Sequence, residues 1–186
     1  MKKGKFIIIS GPSGVGKGTI YKVLLNEFNG WYSVSMTTRK IREGEIDGVN
    51  YYYISKEEFQ KRIDDGKVLE YNIYNDNYYG TPKDKILEKM NEGVNVFLEI
   101  DVNGARNIKG MFPDALLIYI APPSIEELRN RLINRGTESL DVIENRLKIA
   151  ETELKQVDFY DYVVVNDDLD DALNQAREVL KKELTD

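Results

Sequence analysis

The sequence predicts an α/β fold, a parallel central sheet between two layers of helices. Two observations carry that expectation. Short apolar runs at 6–9, 94–100, 115–120 and 162–165 alternate with segments of helical spacing, and such alternation builds parallel strands joined by crossover helices. The first run leads through Ser10-Gly11-Pro12-Ser13-Gly14-Val15-Gly16-Lys17-Gly18-Thr19 directly into the helically spaced Ile20, Val23 and Leu24.

A strand, a glycine-rich turn and a helix in that order make a P-loop. Gly11, Gly14 and Gly16 let successive backbone N–H groups turn inward at a helix N-terminus, where the dipole also favours an anion. Lys17 adds a point charge for a β- or γ-phosphate oxygen. A plain glycine turn accounts for the glycines, but not for the lysine or for the strand before and helix after. The strict pattern places Ser or Thr next, to hold Mg²⁺. Here Gly18 stands there and the hydroxyl follows at Thr19, the candidate metal ligand. A Lys-Gly-Thr ending is the form found in nucleoside-monophosphate kinases.

Along the chain, the first helix fades by Asn29-Gly30 and residues 31–36 form a short alternating run. Residues 37–50 read as a charged loop and residues 51–53 as strand. Ser55 with Glu58 forms a capping box for a helix ending near Gly66. Strand segments at 68–74 and 78–79 flank the polar turn Asn75-Asp76-Asn77. Thr81-Pro82 reads as an N-cap with proline at N1, opening a helix that stops at Gly93. Later helices are expected over 124–135, 139–156 and 168–183. Residues 35–81 break the α/β rhythm and are expected to be an inserted lobe. Residues 125–150 read as a helix pair hinged at Gly136, a lid. The core is then 1–34, 82–124 and 151–186, giving a P-loop three-layer fold with two additions.

Composition excludes several chemistries. The chain of 186 residues is 41% apolar and 31% charged, which suits one globular domain. Its net charge of −6 argues against a broad nucleic-acid footprint. Having no cysteine and no histidine, it has no disulfides, no imidazole-based triad and no Cys- or His-ligated zinc. No run reaches membrane-spanning length, and the apolar N-terminal run is too short for a signal peptide. A cytoplasmic location without membrane contact is expected.

Further motifs surround the P-loop in a fixed order. They are Ser35, Arg39 and Arg42, then Gly44-Glu45, Gly48 and Tyr51, then Glu70 and Asn77-Tyr78-Tyr79-Gly80-Thr81. Residues 98–106, 121–124, Arg135-Gly136-Thr137-Glu138-Ser139, Arg146 and 164–168 follow. Over nearly its whole length the chain resembles the guanylate kinase family. The resemblance implies phosphorylation of GMP (or dGMP) by ATP with Mg²⁺, the P-loop residues 11–19 holding ATP. It implies that Arg39, Arg42, Tyr51 and Tyr79 hold the GMP phosphate and that Ser35, Glu70 and Thr81 read guanine. Asp101 would lie between the nucleotides, Asn166 beside adenine, and Arg135 and Arg146 on a closing lid. With Lys17 and Arg39, those two arginines form the expected catalytic set. Ile41 departs from a usual proline, and Asn72 and Tyr74 from smaller or apolar residues.

Residue chemistry agrees with that implication. A carboxylate at Glu70 accepts two parallel hydrogen bonds from N1–H and the 2-amino group of guanine, whereas adenine offers an acceptor and no amine. As an alternative, Glu70 is the solvent-facing residue of an alternating strand. Arg131 lies four residues after Glu127 and is expected to pair with it. Asp167 or Asp168 is expected to cap the last helix. Two other functions fit the loop: a sugar-bisphosphate kinase, disfavoured by Glu70, and a non-catalytic phosphopeptide-binding module, disfavoured by Lys17. Monomer and homodimer are both open.

Overall fold

The structure, a computed structural model, describes residues 3–136 and 139–184. In chain order it runs β1 (Phe6–Ser10), α1 (Lys17–Glu27), β2 (Trp31–Tyr32), β3 (Met36–Thr37), β4 (Tyr52–Tyr53) and α2 (Lys56–Asp64). There follow β5 (Val68–Tyr74), β6 (Asn77–Pro82), α3 (Lys83–Asn91), β7 (Val96–Glu99), α4 (Val102–Met111) and β8 (Leu116–Ala121). The chain ends with α5 (Ile125–Arg135), α6 (Leu140–Leu154), β9 (Tyr162–Val165) and α7 (Leu169–Leu184).

The core sheet has the order β2-β7-β1-β8-β9 and is parallel throughout. β1 lies at its centre and is buried along its whole length. That explains an unbroken apolar run, because a parallel strand covered on both faces has no solvent side. The pleat divides its side chains: Ile7 and Ile9 enter one apolar layer, Phe6 and Ile8 the other. The first layer is closed by Leu24 of α1, Leu128 and Leu132 of α5, Leu147 of α6 and Ala176 of α7. The second is closed by Ile86 of α3 and by Val102, Ala105 and Ile108 of α4. Consecutive strands β7 and β8 flank β1 on opposite sides. Their C-terminal ends therefore open a crevice beside the P-loop, the usual ligand position in such sheets.

A second sheet, β4-β3-β6-β5, forms within residues 35–82 and carries α2 on Phe59, which is fully buried. The hairpin β5–β6 turns at Asn75 and Asp76, both at positive φ, as a tight two-residue turn requires. Between Val68 and Tyr71 the β5 register against β6 slips by one residue, a bulge of the kind that re-aims a side chain. Glu70 lies in that slip.

Two expectations change on inspection of the elements, and one helix has no counterpart among them. The run 31–36 is not one strand: Ser33 N–H donates to Phe97 in the core sheet (2.8 Å), whereas the Ser35 carbonyl accepts from Tyr52 in the lobe (2.8 Å). The chain thus crosses between sheets here. Thr81 does not cap α3. Pro82 holds the cap position with no side-chain bond, and the Thr81 hydroxyl donates instead to Glu70 Oε1 at 2.5 Å. The helix α4 had no separate expectation, since Gly104 and Gly110 blur its periodicity; Asp101 caps it by accepting from Gly104 N–H at 2.7 Å. Other calls stand. Ser55 caps α2 through Glu58 N–H (3.1 Å), and Asp168 caps α7 by accepting from Asp170 and Asp171 N–H.

The inner faces of α5 and α6 are core: Leu128, Leu132, Ile143 and Leu147 all pack in the β1 layer. Leu132 also lies against Gly14 of the P-loop. We expect Leu132→Ala to cost about 2–5 kcal/mol, the usual range for emptying a packed leucine site. Urea unfolding should show a lower midpoint at an unchanged m-value; full stability would mean these helices are only loosely docked.

Candidate active site

The P-loop leaves the end of β1 in a conformation that glycine permits. Gly16 sits at φ 94°, left-handed, and opens α1 as its N-cap. A Cβ there would stand 2.6 Å from Asn166 Nδ2, which is already committed to the Val15 carbonyl at 2.7 Å. Asn166 is thus a buried brace between the β9 end and the loop. Arg131 reinforces it, donating to the carbonyls of Asn166 (2.7 Å) and Asp167 (3.1 Å) while paired with Glu127 at 3.0 Å as expected.

Lys17 Nζ curls back on its own loop, donating to the carbonyls of Gly11 (2.7 Å) and Pro12 (3.0 Å). Burial pulls its pKa down, and the facing carboxylates of Glu99, Glu153 and Asp101 push the other way. Burial likewise raises Glu99 and Glu153, with Lys17 opposing in each case. Arg146 of α6 donates to the Ser13 hydroxyl and so lies over the loop. Gly11, Ser13, Lys17, Ser35, Tyr51, Asp101 and Arg146 line one cleft of about 510 Å³, with Tyr32, Asn50, Glu99 and Glu153 completing it.

Across the cleft, the lobe residues form a connected set. Arg39 makes a bidentate pair with Glu45, at 2.7 and 3.0 Å. Its guanidinium lies 5.7 Å from the rings of both Tyr51 and Tyr53. Tyr51 in turn meets Tyr79 edge-on at 5.9 Å. Arg42 is exposed, and its backbone N–H donates to Glu45 at 2.8 Å. Glu70 and Thr81 join through their 2.5 Å hydrogen bond. Burial raises the Glu70 pKa, the Thr81 hydroxyl opposes this, and Asp101 adds to it.

The expected residues therefore fall into three groups. Lys17, Ser35, Tyr51, Asp101 and Arg146 share the cleft wall. Arg39 and Tyr79 connect to it through ring contacts with Tyr51, while Arg42 and the paired Glu70 and Thr81 lie off the wall. Arg135 ends α5 as an exposed side chain, and Thr19 is exposed in the first turn of α1; neither is on the wall. Thr137 and Glu138 lie outside the described residues, as does the side chain of Tyr74. Ile41 and Asn72 are exposed and off the cleft wall. No role for Glu45, Glu99, Glu153 or Tyr32 is expected from the sequence. For Glu45 and Glu99 the signal was their place inside the motifs already singled out.

A parallel sheet with a P-loop at its centre strand, facing a small lobe rich in arginine and tyrosine, defines a P-loop nucleotide kinase. Comparisons specify the family. The family described as guanylate kinase matches residues 3–183. The guanylate kinase of Oceanobacillus iheyensis is 50% identical over 183 residues, covering 98% of this chain and 89% of its own. That of Clostridium tetani is 49% identical, covering 98% and 88%. The crystal structure of guanylate kinase from Anaplasma phagocytophilum superposes with a TM-score of 0.73 at 33% identity, covering 98% and 87%. The chain belongs to the guanylate kinase family.

Lys17→Met tests the phosphate site without reference to a base. A net charge-assisted hydrogen bond contributes about 1.5–3 kcal/mol, so affinity for inorganic triphosphate should fall about tenfold to a hundredfold. Calorimetric titration gives the number, and an unchanged affinity would remove Lys17 from the site.

Proposed function

We propose that this protein transfers the γ-phosphoryl group of ATP to GMP, releasing ADP and GDP. The observation that carries the reading is one cleft holding Lys17 and Arg146 on its P-loop side and Ser35 and Tyr51 on its lobe side. Residues 11–19 bind the ATP phosphates, and Asn166 stands on the adenine side. Arg39, Arg42, Tyr51 and Tyr79 take the GMP phosphate. Ser35, Glu70 and Thr81 read guanine, with Asp101 between the two nucleotides. Since Thr81 uses one lone pair of Glu70 Oε1, the carboxylate keeps acceptor sites for N1–H and the 2-amino group. AMP has no 2-amino donor and leaves that oxygen unmatched.

The nucleophile is an oxygen of the GMP phosphate, already deprotonated near neutral pH, so the absence of histidine is no obstacle. It attacks the γ-phosphorus as the bond to the β,γ-bridging oxygen breaks, and that electron pair leaves with ADP. Phosphoryl transfer of this kind is mainly positioning and charge stabilisation. Lys17, Arg135 and Arg146 supply positive charge around the transferring group. For Lys17 this means exchanging its two loop carbonyls for phosphate oxygens.

Mg²⁺ fits the donor set. It keeps several waters and takes one or two protein ligands beside substrate phosphates. Thr19 is exposed in the first turn of α1. Thr19 would hold the ion, which when bound neutralises charge on the β- and γ-phosphates.

Closure over the nucleotides is assigned to the turn at Gly136, at φ 65°, and to the ends of α5 and α6 beside it. Their core-facing leucines anchor the rest of both helices. Closing would exclude water and so prevent wasteful hydrolysis of ATP.

A coupled ADP-release assay with GMP, AMP, CMP and UMP is the direct test; turnover confined to AMP or the pyrimidines would overturn the reading. Glu70→Gln should raise the KM for GMP sharply and narrow the GMP-to-AMP ratio of kcat/KM. Sites built around a substrate hydrogen bond discriminate by about 10⁴–10⁵, so an unchanged ratio would return Glu70 to an ordinary strand residue. The raised pKa adds a pH signature. Guanine needs the ionised carboxylate, so GMP affinity should weaken as pH falls through a range above that of exposed carboxylates. For the empty protein the sign reverses: a raised folded-state pKa contributes stability at low pH that is lost as pH rises through it. Titrating GMP binding in wild type and Glu70→Gln isolates this group, and parallel pH profiles would exclude it.

A further inference from the structure

Arginine presents five N–H donors in a rigid plane, and which of them are already occupied decides where it can receive a ligand. In Arg39, Nη1 donates both to Glu45 Oε2 (3.0 Å) and to the Lys40 carbonyl (2.8 Å), so both its hydrogens are used. One Nη2 hydrogen goes to Glu45 Oε1 at 2.7 Å. The two remaining donors, Nε–H and the second Nη2–H, lie side by side on the adjoining edge. That edge has the spacing of a bidentate grip on one phosphate.

We propose that Glu45 is the positioning residue for this grip, holding one edge of Arg39 so that the other is turned, beside the Tyr79 hydroxyl, toward the phosphate of the monophosphate substrate. The inference rests on the assignment of Arg39 as a phosphate ligand. Glu45 is itself held from two directions. Its Oε2 also accepts from the Arg42 backbone N–H at 2.8 Å, and its own N–H returns to the Arg42 carbonyl at 3.1 Å. One carboxylate therefore orients Arg39 and closes the turn that carries Arg42. Tyr53 stands beside the pair, and the Tyr79 hydroxyl stands at the same guanidinium. The side chains of Arg39 and Glu45 are only 13% and 20% exposed, so water screens them little. Chiefly through the Arg39 hydrogen bond, the Glu45 carboxyl is drawn down to about 2 and stays ionised throughout the working pH range.

Without Glu45 the guanidinium keeps its charge and loses its orientation. A displacement of about 1 Å in a positioned group costs on the order of a hundredfold. Glu45→Gln should therefore weaken GMP binding by about that factor, because the amide turns an N–H toward a guanidinium N–H. Glu45→Asp, which keeps the charge with a shorter reach, should fall between. Guanosine lacks the phosphate, and its affinity should be the same in all three proteins.

Calorimetric titration of GMP and guanosine into the full chain, with Arg39→Ala and the Arg39→Ala/Glu45→Gln double variant, is the test. The expected result is a GMP-specific loss in Glu45→Gln, partial recovery in Glu45→Asp, and no further loss when Glu45→Gln is added to Arg39→Ala. Wild-type GMP affinity in Glu45→Gln overturns the proposal, as do equal losses for GMP and guanosine or additive losses with Arg39→Ala. Should Arg39→Ala itself bind GMP normally, the parent assignment of Arg39 fails instead, and the orienting role falls with it.

Discussion

The close approach of the P-loop to the strands beneath it is the constraint on which the rest depends. β1 is buried on both faces and ends at Gly11, where an added Cβ would stand 2.2 Å from the Ile120 carbonyl of β8. The loop is then held by Asn166 on Val15 and by Leu132 against Gly14. Backbone N–H groups make a phosphate site only if their directions are set beforehand. Here three parts of the core set them: a neighbouring strand, the loop after β9, and α5. The α5 helix, which the sequence presents as half of a lid, is therefore part of the support of the P-loop.

The cleft also manages charge before any substrate arrives. Lys17 and Arg39 are cations in a chain that as a whole is acidic. Lys17 rests on two loop carbonyls amid Glu99, Glu153 and Asp101, and Arg39 rests on Glu45. The two arrangements differ in kind. Neutral carbonyls are partners a phosphate can replace, whereas a bidentate carboxylate in a shielded pocket persists and orients its arginine. Asp101, one of those neighbours, also adds to the upward pull that burial exerts on Glu70.

The setting of Glu70 depends on a local irregularity. Without the one-residue slip in β5, the alternation of a regular strand would govern where Glu70 points. With it, Leu69 joins the core layer while Glu70 reaches the Thr81 hydroxyl on β6. The aromatic packing of Phe59 with Tyr78 at 5.1 Å and with Tyr71 at 6.2 Å supports this corner from the α2 side.

By itself the sequence determined the α/β class, the P-loop and the order of the site motifs. Those are properties of neighbouring residues: an apolar run covered on both faces, glycines at forced turns, and caps such as Ser55 and Asp168 that act within one turn. Tertiary structure alone decided what distant residues do for one another. Glu45 stands in the sequence as part of a motif without a role of its own, and its bonds from the Arg39 guanidinium and the Arg42 N–H exist only once the turn is folded. Asn166 is 151 positions from Val15 in the chain, yet it braces that carbonyl. Thr81 looked like a helix cap and became a partner of Glu70, because a bulge in the adjacent strand brought the carboxylate within 2.5 Å. Register slips and long-range hydrogen bonds leave no periodic trace along the chain, since they arise from how elements pack and not from the residues beside them.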